Sequence, residues 1–355
     1  MNISPMRNRD KSAVRHKNIP FFIPHAGCPH DCVFCSQEKI TSVARCGESG
    51  IKDELMRLDA LMKAHSLVAD GSQTELAFFG GSFTAIEPQR LDALLAAGRK
   101  YIDSGIVSGI RISTRPDCID PNMLEKLARA GVTDIELGIQ STDDAVLEAG
   151  GRGHTARDSE NACALVREYG FSLVGQMMVG LPRSSLMSEI RTARDIVSFG
   201  CDGARIYPTV VFEGTALYRM TLDGEYAPLS NDEAADRCAA CLDVFDANSV
   251  NVLKIGLHSS EELAHAPFGP NHPAMGELVE GRLYRSRAEK QLAGIDVRGK
   301  CLTLYVAPGC ESKAAGHRRE NRNYFLSKYL LSGFRVRACE GIARLEVKVG
   351  VEQNI

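Results

Sequence analysis

The chain has 355 residues, enough for one large α/β domain or for two domains. Its hydrophobic content of 44% and charged content of 25% are typical of a soluble globular protein. The N-terminus lacks the apolar segment of a secretory signal, and no stretch of 18 apolar residues exists, which excludes a membrane span from the expected architecture. We therefore expect a cytoplasmic protein.

Charge and cysteine are unevenly used along the chain. The net charge is −3, yet residues 281–348 carry 15 Lys or Arg against 6 Asp or Glu, which favours a polyanionic partner for the C-terminal part. Twelve cysteines are too few for a disulfide scaffold in a chain of this length. In a reducing compartment, clustered thiols indicate metal binding or catalysis.

Between residues 20 and 212 the sequence alternates short apolar runs with stretches of helical spacing. Several of the helical stretches end in a glycine directly before the next strand, at Gly131, Gly170 and Gly200. Consecutive βα units require a parallel sheet, either an open doubly wound sheet or an incomplete barrel. Six apolar runs are counted as strands: "IPFFIP", "TELAFFG", "GIRIST", "DIELGIQ", "SLVGQMMVG" and "GARIYPTVV".

The pattern changes after about residue 213, where a helix and a Pro/Gly-rich loop precede another helix. From residue 299 the order is strand, loop, helix and two strands. We place a boundary near 285–298. The predicted division is a basic extension at 1–19, a core at 20–285 and a small basic α/β unit at 286–355.

Three cysteines, Cys28, Cys32 and Cys35, follow the first predicted strand, where parallel α/β folds place their chemistry. Thiolates are soft ligands that suit zinc or iron–sulfur clusters. A four-iron cluster on three thiolates would leave one iron open to another ligand. A structural zinc would instead need a fourth ligand, for which the candidates are His25, His30 and Cys46.

The spacing C-x3-C-x-aromatic-C, with Phe34 as the aromatic residue, resembles the signature of the radical S-adenosylmethionine superfamily. The resemblance implies a [4Fe–4S] cluster on the three cysteines, with S-adenosylmethionine bound to the open iron. It also implies reductive cleavage of that cofactor to a 5′-deoxyadenosyl radical. With it, the expected fold is α/β: a partial (β/α)6 TIM-like barrel with a small α/β C-terminal appendage.

A second feature similar to the superfamily is the turn "FFGGSF", which contains Gly80 and Gly81. In the superfamily, a Gly-Gly-Glu-like turn after the second strand contacts the methionine amino group of the cofactor. Here Ser82 replaces the glutamate, so the resemblance implies only the backbone contact, which glycine permits by allowing close approach. The alternative is a plain Gly-Gly loop.

Four segments narrow the resemblance to the barrel of the Elongator catalytic subunit and related bacterial proteins. The similar region covers roughly residues 17–285. It implies modification of tRNA or another RNA, but we expect no acetyltransferase domain, because about 70 residues follow the boundary. The segments are "STRPD" at 113–117, "ELGIQS" at 136–141, "GQMMVGLP" at 175–182 and "IYPTVVFEGTALY" at 206–218.

Ser113, Arg115 and Gln140 are predicted at strand carboxyl ends, where they would bind the ribose or carboxylate of the cofactor. The alternative for Arg115 is an ion pair with Asp117, and for Gln140 a satisfied amide inside the barrel. Tyr207 either faces the substrate or packs in the core.

Other clusters have simpler interpretations. Cys238 and Cys241 share a helical face and would join a second cluster only with cysteines from elsewhere, whereas burial as small residues explains them as well. Cys118 is interpreted as an inert thiol. The remaining candidates are loop or substrate-channel histidines: His258, His265 and His272.

The basic C-terminal unit contains "AAGHRREN", with Gly316, Arg318, Arg319 and Arg322 near a helix start. This resembles a KH-like RNA-binding unit, whose Gly-rich loop clamps nucleotide backbone. A charged-surface role is the alternative, since a KH loop has two glycines.

The sequence thus predicts a radical S-adenosylmethionine enzyme acting on tRNA or another RNA, with a flavodoxin- or ferredoxin-like electron donor. One alternative is a radical enzyme acting on a small metabolite or a protein side chain. Another is a non-catalytic iron–sulfur protein that binds RNA.

Overall fold

The structure is a computed structural model that describes residues 16–23, 28–36, 50–66 and 73–352. Its main feature is a sheet of seven parallel strands, paired in the order in which they occur along the described chain. Because successive parallel strands are joined by right-handed crossovers, the connecting helices fall on one face and the sheet curls into an open barrel. The strands are β1 (His16–Phe22), β2 (Gln73–Phe79), β3 (Gly109–Thr114), β4 (Val132–Gln140), β5 (Ser172–Val179), β6 (Gly203–Pro208) and β7 (Asn251–Ile255).

The predicted fold class is confirmed, with a strand more than the sequence indicated. β7 pairs in parallel with β6 and extends the sheet beyond the six predicted units. β1 begins at His16, inside the predicted N-terminal extension, while residues 1–15 of that extension lie outside the described residues.

The helices of the barrel begin and end at recognisable signals. Capping boxes at Thr155, Ser185 and Ser230 start three of them, and Gly131 ends another with φ 85°, as its position before a strand predicts. The helices are α1 (Ile51–Ser66), α2 (Pro88–Asp103), α3 (Pro121–Ala130), α4 (Asp144–Ala149), α5 (Ala156–Glu168), α6 (Leu186–Ser198), α7 (Ala216–Leu222), α8 (Asn231–Ala247), α9 (Glu261–Ala264) and α10 (Met275–Leu292).

The two faces of the sheet differ in chemistry. Leu76 and Phe78 of β2 belong to the apolar core between sheet and helices, whereas Glu75 alternates with them and faces the concave side. There, Arg111 of β3 lies 3.0 Å from a Glu75 carboxylate oxygen and 2.8 Å from one of Asp134 on β4. The concave face is therefore lined with buried charge.

A small second sheet follows. Its order is β10–β8–β9, with β8 (Cys301–Val306) parallel to β9 (Gly333–Ala338) and antiparallel to β10 (Val347–Glu352). Helices α11 (Glu311–Ala315) and α12 (Glu320–Lys328) connect β8 to β9. The predicted boundary after residue 285 falls within α10, so the division into two units stays a prediction. In the described ranges, no helix combines the length and apolar character that crossing a membrane requires.

Candidate functional site

The cysteine loop lies at the carboxyl rim of the barrel, after β1. Backbone hydrogen bonds hold it on both sides: Val33 donates to the carbonyl of Gly150 at 3.1 Å and accepts from the amide of Leu217 at 2.8 Å. These partners lie after α4 and in α7, so two further rim segments position the loop. The three thiols differ in exposure, from an exposed Cys28 to partly buried Cys32 and Cys35.

Phe34, the aromatic residue of the motif, anchors the loop by burial. Its side chain is 9% exposed and belongs to a separate apolar cluster at the rim. The other buried members are Val146, Leu181, Val211, Leu217 and Tyr226. Burying such a ring stabilises the folded state by roughly 2–3 kcal/mol. This anchor holds Cys32 and Cys35, which lie on either side of Phe34 in the chain, in place.

Two arginines surround the sulfur of Cys32. Nη1 of Arg152 lies 3.2 Å from Cys32 Sγ, and Nη1 of Arg115 lies 3.9 Å away. Arg152 also donates to the carbonyl of Gly138 at 2.6 Å, while its buried Nε has no hydrogen-bond partner among the described residues. This electropositive surrounding stabilises negative charge on the sulfur, as a thiolate ligand requires.

Arg115 forms the ion pair that the sequence left open as an alternative. Its guanidinium bonds both Asp117 carboxylate oxygens, at 2.8 and 2.9 Å, and also donates to the carbonyl of Arg152. These bonds orient it toward Cys32. Its direct contact with the cofactor carboxylate stays a prediction.

His154 is a second residue that the motifs did not indicate. Its buried Nε2 lies 3.3 Å from the carbonyl of Ile139. Burial, reinforced by Arg152 and Arg115, lowers the pKa of His154 to about 4, so the ring is neutral at physiological pH. Both Arg152 and His154 belong to the segment "AGGRGH". The glycines on both sides of Arg152 were the only signal in the sequence that could have indicated a functional role for this segment.

The predicted Gly-Gly turn lies against the cysteine loop. Gly80 has φ 99°, and a Cβ there would lie 2.7 Å from the carbonyl oxygen of Ile23. Gly81 has φ 57°, and the buried Ser82 places its hydroxyl 3.6 Å from Cys28 Sγ. The turn therefore joins the ends of β1 and β2 beside the first cysteine.

Ser113 lies near the end of β3 and Gln140 is the last residue of β4, and their contacts with the cofactor stay a prediction. Gln140 is 5% exposed and has φ 65°, a left-handed conformation at a bulge in the β4–β5 pairing. Its Oε1 accepts from Gln176 at 3.4 Å. A non-glycine residue held in this conformation at a site is strained, which is commonly retained for function.

A further ion pair crosses the concave face. Arg205 of β6 donates to Glu136 of β4 at 2.8 Å, contacts the Tyr207 hydroxyl at 3.3 Å and lies 5.6 Å from the centre of the Phe79 ring. Burial raises the pKa values of Glu136 and Tyr207. Tyr207 therefore faces the barrel interior.

Burial works against thiolate formation at three other cysteines that the sequence singled out. Cys238 and Cys241 are buried on α8, and burial raises the pKa of both. Burial, followed by the charge of Asp117, raises the pKa of Cys118 to about 11. Across the described residues, no three His, Cys, Asp or Glu side chains converge on a point that a single metal ion would occupy.

Two of the three candidates for a fourth zinc ligand, His25 and Cys46, lie outside the described residues. His30, the third candidate, contacts Asp117 at 3.7 Å. The thiol donor set and the adjacent guanidinium groups fit a cluster held by Cys28, Cys32 and Cys35, which spreads its ligands around a body larger than one ion.

The predicted RNA-binding arginines lie apart from the cysteine loop in the chain, around the turn between α11 and α12. Arg318, Arg319 and Arg322 are exposed.

Two known proteins are similar in sequence to part of this chain. A 126-residue stretch is 36% identical to the tRNA uridine(34) acetyltransferase of Dehalococcoides mccartyi, covering 35% of this chain and 28% of that protein. Elongator complex protein 3 of Dictyostelium discoideum is 33% identical over 148 residues, or 40% of this chain and 26% of that protein. The matched stretches thus span about a quarter of these relatives.

A solved structure also shares the fold. The archaeal Elp3 of Methanocaldococcus infernus superposes with a TM-score of 0.58 and 21% identity, over 78% of this chain and 63% of that chain. Sequence profiles match the Radical SAM superfamily at residues 22–196 and the Radical_SAM C-terminal domain at residues 201–285. The chain therefore belongs to the radical SAM superfamily of enzymes.

Proposed function

We propose that the protein reductively cleaves S-adenosylmethionine and uses the resulting 5′-deoxyadenosyl radical to modify tRNA. The observation that carries this proposal is the three-cysteine loop at the barrel rim, with Arg152 Nη1 3.2 Å from Cys32 Sγ. When bound, a [4Fe–4S] cluster supplies the electron for sulfonium cleavage and an open iron for the amino and carboxylate groups of the cofactor.

The chain's own residues have separate roles. The thiolates of Cys28, Cys32 and Cys35 hold the cluster, and the two guanidinium groups stabilise charge on the middle sulfur. The backbone of Gly80 and Gly81 approaches the methionine amino group. Ser113 and Gln140 hydrogen-bond the ribose or carboxylate. Arg115, which Asp117 holds in place beside Cys32, either stabilises charge on the Cys32 sulfur or binds the carboxylate of S-adenosylmethionine.

The barrel protects the radical. The charged groups of the concave face are already paired with one another, as Arg205 with Glu136 and Arg111 with Asp134. A site that excludes water limits quenching of a reactive intermediate. The exposed Cys28 brings one ligand to the surface, where a flavodoxin- or ferredoxin-like donor would deliver its electron.

The names of the relatives support tRNA as substrate, since the matched protein of D. mccartyi acts on uridine 34 of tRNA by its name. The match covers a fraction of that protein, so acetyl transfer is not part of the proposal. A small metabolite or a protein side chain is the competing substrate.

The test is anaerobic incubation of reconstituted, reduced protein with S-adenosylmethionine and total tRNA. We expect release of 5′-deoxyadenosine and a new nucleoside by mass spectrometry. Cys32→Ala should abolish both, whereas Cys118→Ala, a neighbouring thiol outside the triad, should retain both. Equal activity of these two variants, or no 5′-deoxyadenosine from the wild type, would refute the proposal. Release of 5′-deoxyadenosine without a new nucleoside in tRNA would instead indicate a small metabolite or a protein side chain as the substrate.

A further inference from the structure

One turn of the C-terminal unit carries three exposed arginines at or near the start of α12. Residues 316–319 join α11 to α12, and Arg318, Arg319 and the following Arg322 are exposed. Within the described part of the chain, none of these three side chains forms an ion pair. Most neighbouring arginines are bound to carboxylates: Arg282, Arg285, Arg287, Arg335 and Arg344.

The backbone of the turn is unusual. Gly316 has φ 81° and ψ 155°, a region open essentially to glycine, and a Cβ there would lie 2.7 Å from the amide nitrogen of Asn321. Arg318 and Arg319 follow with φ 50° and 62°, both left-handed. The amide of Arg319 donates to the carbonyl of Gly316 at 2.9 Å, which closes the turn directly before α12. The first turn of α12 has no side-chain cap.

The surrounding topology matches a known way of binding RNA. The order is β8, α11, turn, α12 and β9, with β8 and β9 parallel in one sheet. The sequence predicted a single helix here, whereas the structure places the glycine turn between two. In KH domains, a glycine turn clamps about four nucleotides of RNA backbone.

The turn also lies near the functional rim. The ring of His317 contacts that of His272, with centroids 5.0 Å apart. His272 belongs to the loop between α9 and α10, in the connection that leaves the carboxyl end of β7, and parallel strands of one sheet end at the same edge.

The same loop is connected to the cysteine segment through a series of contacts. Phe268 pairs its backbone with Val211 after β6, and its ring lies 6.1 Å from that of Tyr218. The neighbouring Leu217 holds the carbonyl of Val33 between Cys32 and Cys35. A continuous rim therefore links the turn to the cysteines.

We propose that the turn Gly316–Arg319, together with Arg322, binds the phosphate backbone of a single-stranded RNA segment and aligns it along the rim. That this RNA is tRNA rests on the proposed function. Binding itself requires no radical chemistry.

The experiment measures binding of the full chain to an unstructured RNA oligomer and to tRNA by fluorescence anisotropy, between 50 and 200 mM KCl. The turn variant replaces Arg318, Arg319 and Arg322 by Ala. The matched control replaces three basic residues of the same unit that lack ion pairs within the described residues: Arg298, Lys300 and Lys348.

Three lost phosphate contacts should reduce the salt slope by about 2, so the wild type loses roughly 20-fold more affinity than the turn variant over this salt range. The control should keep the wild-type slope. Equal losses in both variants, or no RNA binding by the wild type, would overturn the proposal. So would equal binding of a poly-glutamate peptide or of duplex DNA.

Two further readouts separate folding and chemistry from binding. Arg322→Gln, on regular helical backbone, should reduce the slope by about 0.7 even if the triple variant fails to fold. Release of 5′-deoxyadenosine without RNA should be unchanged in the turn variant, while its KM for tRNA rises. Absence of that release in the wild type refutes the proposed function alone, because the binding comparison still decides the role of the turn.

Discussion

Substituting Gly80 tests whether the rim depends on the contact between the ends of β1 and β2. Gly80 has φ 99°, and an added Cβ would lie 2.7 Å from the carbonyl oxygen of Ile23 and 3.2 Å from its carbon. Left-handed backbone costs a side chain roughly 1–2 kcal/mol. The backbone of Ile23 cannot rotate away as a side chain would, and overpacking of this kind adds about 1–3 kcal/mol. Gly80→Ala should therefore lower the free energy of unfolding by about 2–5 kcal/mol.

Gly105 supplies the matched control. Its φ is 73°, and nothing lies within 4 Å of the position of an added Cβ. Gly105→Ala should cost only the conformational part, about 1–2 kcal/mol. Urea denaturation followed by circular dichroism measures both variants against the wild type. Because Gly80 positions Gly81 and Ser82, we also expect weaker binding of S-adenosylmethionine in Gly80→Ala alone. Equal destabilisation of the two variants would refute the close contact.

Three other substitutions test separate parts of the structure. Burial and then Asp134 raise the pKa of Glu75 to about 7, so its contribution to stability is complete below 4.5 and is lost as pH rises through 7. Wild-type stability should fall in this window by up to about 1.4 kcal/mol per pH unit, and Glu75→Gln should flatten the profile; identical profiles by urea titration would contradict this. Arg319→Gly should raise the melting temperature, since glycine removes roughly 1 kcal/mol of left-handed strain, and a lower melting temperature would count against strain at the turn. Phe34→Ala should cost about 3 kcal/mol in urea titration, and a loss below about 1 kcal/mol would show that the ring does not anchor the cysteine loop.

The sequence predicted those features whose signals are local. Thiol spacing marked Cys28, Cys32 and Cys35, and helix-ending glycines such as Gly131 marked the alternation of strands and helices. Their chemistry follows from neighbouring residues in the chain. The curled parallel sheet followed from that alternation together with the family resemblance.

Features that depend on distant contacts were missed. β7 has the sequence "NVLKI", whose polar residues interrupt the apolar pattern by which the other strands were predicted. These polar residues are compatible with a strand because one face of β7 lies toward the concave side. Arg152 reaches Cys32 across 120 positions of the chain, and no periodicity reports such a contact. Arg115 shows the same limit, because its spacing fits both an ion pair with Asp117 and a cofactor contact.

The central claim is an iron that the protein leaves without a ligand of its own. Pulsed electron–nuclear double resonance on the reduced, reconstituted protein tests it most directly, using S-adenosylmethionine labelled with ¹⁵N at the amino group and ¹⁷O at the carboxylate. We predict hyperfine couplings from both labels, lost in Cys32→Ala and retained in Cys118→Ala. A cluster spectrum unchanged by the labelled cofactor, or a single zinc ion in anaerobically purified protein, would contradict the account.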